Sequence, residues 1–77
     1  MKTENIKEIV TLVLKSKIAK KRVQSVLDSM EEQPNGIMVY LSHGATLGES
    51  QDVQETIKKC GLQIPQQLGN AVIYVTA

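Results

Sequence analysis

Apolar residues recur at helical spacing over the first part of the chain, from residue 3 to residue 33. They form two sets on different helix faces: Ile6, Ile9, Val10, Val13 and Leu14, then Ala19, Val23, Val26, Leu27 and Met30. At about 100° per residue, the centres of the two sets lie roughly a quarter turn or more apart. The pattern predicts a helical region over residues 3–33. It is either one long helix or two helices that meet near residues 15–18, and we favour the break.

Two continuous apolar runs follow, at residues 37–41 and 71–75. Neither run alternates with polar residues, so we predict strands over residues 36–42 and 71–76 that are buried on both faces. Residues 49–60 carry apolar residues at helical spacing and are followed by Gly61, which predicts a helix between the two strands.

This order of elements predicts a small α/β (α+β) domain that spans residues 1–77. A long or broken N-terminal helix precedes a βαβ unit, whose two strands we expect to be parallel with a right-handed crossover. Two strands alone form a poor sheet with bare edges. We therefore expect the sheet to be completed by oligomerisation.

The composition supports the same expectation of self-association. The chain has 22 Val, Ile and Leu residues, two Tyr and neither Phe nor Trp. Aromatic side chains bury the most area per residue, so this core must be built from many small contributions. Burying a further face in a second copy would add to it, and a homodimer is our default prediction.

Charge, cysteine content and the chain start bear on location. The net charge is +1. The chain has one Cys, which excludes an internal disulfide framework and fits a reducing compartment. The first residues show no secretory pattern, and no apolar run approaches the roughly 20 residues that a membrane span needs. We predict a cytoplasmic protein with no membrane association. A phage or mobile-element origin is compatible with these features.

The loop at residues 42–50 is a candidate binding site for a small anionic ligand or nucleotide. It lies between a predicted strand and a predicted helix, and its candidate ligand-binding residues are Ser42, His43, Gly44, Thr46, Gly48 and Ser50. Three observations favour a plain capped turn instead. The loop has neither the P-loop nor the dinucleotide-binding glycine pattern, it contains no Lys or Arg, and Glu49 and Asp52 place negative charge at the helix start. Capping by Thr46 with Glu49, or by Ser50, would account for the polar residues.

A basic segment is the second candidate site. Five cations fall within eight residues, and we predict that they contact a partner protein or nucleic acid: Lys15, Lys17, Lys20, Lys21 and Arg22. A solvated helix face is the alternative. Residues 17–27 resemble the paired helices of helix-turn-helix proteins, but the turn between the helices is missing by about four residues, so no family is assigned.

Candidate catalytic chemistry is sparse. His43 is the single histidine, and Cys60 lies at the other end of the predicted helix, roughly 15 Å away by the helical rise per residue. This arrangement offers neither a Cys–His pair nor a metal-binding spacing. We therefore predict no catalytic residues, no metal and no cofactor.

Together these patterns predict a small non-enzymatic regulatory or inhibitory binding protein. We expect it to act as a homo-oligomer and to engage a macromolecular partner. The first alternative is a nucleic-acid-binding protein that uses residues 15–24. The second is sequestration of a small anion or nucleotide at residues 42–50.

Overall fold

The computed structural model describes residues 2–77, so the first residue of the predicted 1–77 domain lies outside the described part. The elements are, in chain order, α1 (Thr3–Lys17), α2 (Lys20–Ser29), β1 (Glu31–Gln33), β2 (Gly36–Tyr40), a 3₁₀ turn (Leu41–His43), α3 (Leu47–Lys59), β3 (Gln63–Leu68) and β4 (Val72–Thr76). The predicted α+β class is confirmed, as a small domain in which helices pack on a sheet.

The N-terminal helical region is divided where the apolar face changes. α1 ends at Lys17 because Ile18 adopts an extended conformation, with φ −108° and ψ 137°. The Ile18 side chain is buried, so the break directs an apolar residue into the core. α2 ends at Ser29 because Met30 is also extended, and the chain then enters β1 instead of continuing as helix to residue 33.

The strands form one antiparallel sheet in the order β1-β2-β4-β3. The predicted βαβ unit with parallel strands is therefore wrong: β2 and β4 pair antiparallel, with Ile37 opposite Val75 and Val39 opposite Ile73. The physical reason is the additional strand β3, which lies between α3 and β4 in the chain. After β3 the chain reverses direction at Gly69 and then enters β4. Gly69 has φ 54°, in the left-handed region that favours glycine in tight hairpin turns.

The two strands that the sequence pattern missed are polar. β1 consists of Glu31, Glu32 and Gln33, and five of the six residues in β3 are exposed. Both strands are held by antiparallel pairing with an apolar neighbour, β1 with β2 and β3 with β4. Their positions depend on backbone hydrogen bonds and hairpin turns, which apolar periodicity does not report.

Because one chain forms a four-stranded sheet, the sheet does not need strands from a second copy to complete it. β1 and β3 cover the edges of β2 and β4 that a two-stranded unit would expose. The new edges resist further pairing, because β1 is short and acidic and β3 carries Pro65 within an irregular register between Gln63 and Gln66. The structure does not show the oligomeric state, and homodimer formation stays a prediction.

The helices pack on one face of the sheet. Four side chains of β2 and β4 lie on that face and are fully buried: Ile37, Val39, Ile73 and Val75. They form one cluster with apolar residues of all three helices. Apart from Gly36, the residues that alternate with them are only partly buried. The prediction that both strands are buried on both faces is therefore wrong, since no element of residues 2–77 covers the opposite face.

Candidate functional site

The start of α3 contains the capping box that the sequence offered as the structural explanation of the loop. The Thr46 Oγ1 accepts a hydrogen bond from the Glu49 N–H at 3.2 Å, and the Glu49 Oε1 accepts one from the Thr46 N–H at 2.9 Å. Two backbone donors at this helix end are thereby satisfied within the chain. α3 begins at Leu47, slightly before the predicted residue 49.

The Glu49 carboxylate also joins α3 to the start of α2. Its Oε2 accepts a hydrogen bond from the Ala19 N–H at 3.0 Å, and Arg22 donates two more, from Nε at 2.9 Å and Nη2 at 2.6 Å. Arg22, followed by the backbone donors of Thr46 and Ala19, holds the pKa of Glu49 well below its usual range. A cation therefore does reach the loop, from another helix, but it is paired with Glu49.

Gly44 serves the packing of the loop against α2. A Cβ at this position would lie 2.7 Å from the Arg22 carbonyl oxygen and 3.2 Å from a methyl carbon of Val26. Gly48 differs, because a Cβ there would meet nothing within 4 Å. The close approach of the α2 backbone accounts for glycine at residue 44 without a ligand.

Ser50 is buried in a polar cluster between α3 and the β3–β4 turn. Its hydroxyl donates to the Asn70 carbonyl oxygen at 2.6 Å, and the Gln54 Nε2 donates to Asn70 Oδ1 at 3.1 Å. Ser50 as a whole is 2% exposed. Ser50, a candidate ligand-binding residue from the sequence, therefore anchors the hairpin turn between β3 and β4.

The six loop candidates do not converge on one point. Gly44 and Ser50 face other parts of the chain, whereas Ser42, His43, Thr46 and Gly48 are exposed. The His43 ring contacts the Tyr40 ring, with centroids 5.4 Å apart and planes inclined by 31°. His43 thus lies just beyond the end of β2, beside an aromatic residue.

The basic segment is divided between two helix ends. Lys15 and Lys17 lie in the last turn of α1, where they complement the helix dipole, and Lys20 and Lys21 open α2. All four lysines are exposed, but Arg22 is turned towards Glu49. The resemblance to a helix-turn-helix fails, because residues 20–29 form one continuous helix.

The uncovered side of the sheet is the most distinctive surface of the protein. We call it the open face and define it by eight residues whose side chains alternate with the core: Glu31, Gln33, Met38, Tyr40, Gln66, Leu68, Val72 and Tyr74. The register places Tyr40 opposite Val72 and Met38 opposite Tyr74, with Leu68 beside Val72 on the edge strand. Both aromatic residues of the chain lie on this face.

Neighbouring residues hold the two tyrosines in place. A Cβ at Gly36 would clash with the Val75 carbonyl oxygen and lie 3.0 Å from Cε1 of Tyr74, so glycine allows both the close approach of the β4 backbone and the position of the Tyr74 ring. The Tyr40 hydroxyl donates a hydrogen bond to the Glu31 carboxylate. This bond, with some desolvation and the charge of Glu31, raises the pKa of Tyr40 above its ordinary value of 10.0.

Two shallow depressions lie side by side on the open face and share Met38, Gln66 and Tyr74. The first, of about 240 Å³, is completed mainly by Leu68 and Val72. The second, of about 290 Å³, is completed by Glu31, Gln33 and Tyr40. One end of the face is therefore apolar, and the other is polar with a carboxylate.

The open face is not evident from the sequence, because residues 37–41 and 71–75 are apolar at every position and so place apolar side chains on both faces of the strand. A weaker signal was present in the chemistry of alternate positions: Met38 and Tyr40 alternate with Ile37 and Val39, and Tyr74 lies between Ile73 and Val75. Thioether and phenol side chains tolerate partial exposure better than branched aliphatic ones. That alternation indicates a half-exposed strand.

Comparison with models of known families, with curated proteins and with solved structures finds no significant match for this chain. Among the helices described, none has the length and apolar character to cross a membrane. Within residues 2–77, no three His, Cys, Asp or Glu side chains are grouped as metal ligands, and Cys60 is exposed at the end of α3. The surface features of the protein are therefore the basis for proposing its function.

Proposed function

We propose that this chain is a small non-enzymatic binding protein that engages a protein partner through its open face. The observation that carries the proposal is the placement of both tyrosines, with Met38, on the sheet face that no helix covers. Tyr and Met are enriched in protein–protein interfaces, and Tyr buries a large area at low entropic cost. A regulatory or inhibitory role follows if the chain acts by occupying a surface of its partner.

The size of the open face favours a short segment of the partner over a broad rigid surface. Four strands spaced about 4.8 Å apart and five residues of about 3.4 Å each give a face of roughly 320 Å² in projection. A standard interface buries about 800 Å² on each partner, so this face alone is too small for a stable flat dimer. A segment seated in the two depressions needs less area and gains from their shape.

Exposed leucines provide a matched pair for the test. Leu68 is 73% exposed on the open face, and Leu12 is 67% exposed on α1. Neither side chain contributes to the buried core, so we expect Leu68→Ser and Leu12→Ser to leave the fold intact. Circular dichroism should show this for both variants.

The experiment compares proteins retained from the source cell by the wild type, Leu68→Ser and Leu12→Ser, with quantitative mass spectrometry as the readout. We expect a specific protein retained by the wild type and Leu12→Ser and lost with Leu68→Ser. Equal retention by all three chains would contradict the proposal. Light scattering on the same samples tests self-association: a dimer lost only with Leu68→Ser would assign the face to a second copy.

Nucleic-acid binding is the second candidate function, supported by the four exposed lysines around the α1–α2 junction. Binding through these residues should weaken steeply with added salt, because each phosphate contact releases counterions. Lys20→Glu with Lys21→Glu should abolish it, and Lys58→Glu with Lys59→Glu at the end of α3 provides a charge-matched control. Salt-independent binding would exclude this candidate.

A further inference from the structure

We propose that the partner segment carries a Lys or Arg a few residues from an apolar side chain, with the cation at Glu31 and the apolar side chain in the depression at Leu68 and Val72. This inference rests on the proposed binding function of the open face and names the chemistry of its partner. It is argued from the charge, shape and spacing of the eight open-face residues.

Charge is the first argument. Glu31 is the single ionised side chain among the eight residues of the open face. Its neighbour Glu32 belongs to the helix side of the sheet, where it forms an ion pair with Lys7 at 3.3 Å. An apolar partner that covered Glu31 would leave a buried carboxylate without a counter-ion, at a large desolvation cost. A partner cation removes that cost and forms a charge-assisted hydrogen bond.

The surroundings of Glu31 strengthen the argument for a cation. The Tyr40 hydroxyl donates a hydrogen bond to the Glu31 carboxylate, which holds the carboxylate beside the phenol ring. The same depression is lined by Tyr74. Aromatic ring faces attract Lys and Arg by cation–π interaction, so the carboxylate and the rings favour the same charge in the same place.

The other depression selects the apolar side chain. It is lined by Met38, Leu68, Val72 and Tyr74, with Gln66 and Gln67 at its rim. Glu31 lies on β1, whereas Val72 and Leu68 lie two and three strands away on β4 and β3, which separates the two sites by roughly 10–15 Å. An extended segment advances about 3.3 Å per residue, which places the cation about three to five residues from the apolar anchor.

A random-peptide phage library selected on the immobilised full chain tests the inference, because the library offers segments of every side-chain chemistry. We expect the recovered peptides to share an apolar residue about three to five positions from a Lys or Arg. Synthetic peptides should then bind the wild type with an affinity measurable by fluorescence anisotropy. Replacing the peptide Arg by citrulline, which is neutral and similar in shape, should weaken binding about tenfold or more.

Variants of β1 supply the matched comparison. Glu31→Gln should weaken binding to a similar extent, and in combination with the citrulline peptide it should add little further loss, because the two changes remove one interaction. Glu32→Gln on the same strand should leave binding unchanged. Selected peptides without a cation, unchanged binding to Glu31→Gln, or an equal loss with Glu32→Gln would each overturn the inference.

Tyr74→Ser separates this inference from the proposed function. Peptides that lose binding with Tyr74→Ser but not with Glu31→Gln would overturn the cation requirement and leave the open face as the binding site. Peptides whose binding survives both substitutions, or a selection that returns no peptide dependent on Tyr74, would overturn the proposed function together with the inference.

Discussion

The Arg22 guanidinium donates two hydrogen bonds to the Glu49 carboxylate, at 2.9 Å from Nε and 2.6 Å from Nη2. The same carboxylate accepts the backbone N–H groups of Ala19 and Thr46, the residues that precede α2 and α3. One side chain therefore satisfies donors at two helix starts and pairs with a cation, in the favourable orientation of negative charge at the helix N-terminus. It fixes α2 against the loop that precedes α3.

Glu49→Gln should lower the thermal midpoint by several degrees. The substitution keeps the shape of the side chain but removes the charge that pairs with Arg22, and its amide nitrogen cannot accept a hydrogen bond. Glu55→Gln, at an exposed position of the same helix, is the control and should have little effect. Differential scanning calorimetry distinguishes the two. Equal midpoints for both variants would contradict the structural role of Glu49.

The contribution of Glu49 should disappear in acid. Its pKa in the folded chain is held below the ordinary 4.5, so its stabilising effect is fully present above that value and is lost as the pH falls below it. The difference in thermal midpoint between the wild type and Glu49→Gln should therefore be constant near neutral pH and shrink below about pH 4.5. A difference that stays constant down to strongly acidic pH would show that the carboxylate is not stabilised by its partners.

Two glycines in the same loop should respond oppositely to alanine. Gly44→Ala places a methyl group 2.7 Å from the Arg22 carbonyl and should cost about 1–3 kcal/mol of folding free energy. Gly48→Ala meets nothing within 4 Å in a helical position and should be neutral or stabilise by up to about 1 kcal/mol. Urea unfolding measures both effects. If the two variants were equally stable, the packing explanation for Gly44 would be wrong.

Ser50→Ala should destabilise the fold by about 1 kcal/mol, because the Asn70 carbonyl oxygen then loses its hydroxyl donor in a partly buried site. The loss should be accompanied by faster amide exchange in the β3–β4 turn, which Ser50 anchors to α3. Ser42→Ala, at an exposed position, is the control and should change neither property. Hydrogen exchange monitored by NMR tests this, and an unchanged turn in Ser50→Ala would count against the anchoring role.

Glu31→Gln should lower the pKa of Tyr40 towards its ordinary value of 10.0, because the hydrogen bond to the carboxylate favours the protonated phenol. The ultraviolet absorbance of tyrosinate reports this directly, and a Tyr74→Phe background leaves Tyr40 as the single titrating phenol. In that background Glu32→Gln should leave the titration unchanged. An identical titration in Glu31→Gln would show that the two side chains are not paired in solution.

The sequence by itself predicted the helices and the two apolar strands, and it favoured a break near residues 15–18 without excluding one long helix. These elements carry apolar residues at regular spacing, and burial of those residues is the main driving force of folding. It also offered the Thr46–Glu49 cap as one of two possible caps, since a capping box depends on residues three positions apart. The local chemistry of these segments and their final structure agree.

Only the tertiary structure decided the direction of the strands, the roles of Arg22 and Ser50, and the existence of the open face. β1 and β3 carry no regular apolar pattern and are fixed by hairpin pairing with β2 and β4, and these two central strands lie far apart in the chain and pair with each other. Arg22 and Glu49 are 27 residues apart, and no local pattern links them. Which side of an apolar strand meets solvent depends on where the helices pack, and here three helices on one face left the tyrosines uncovered on the other.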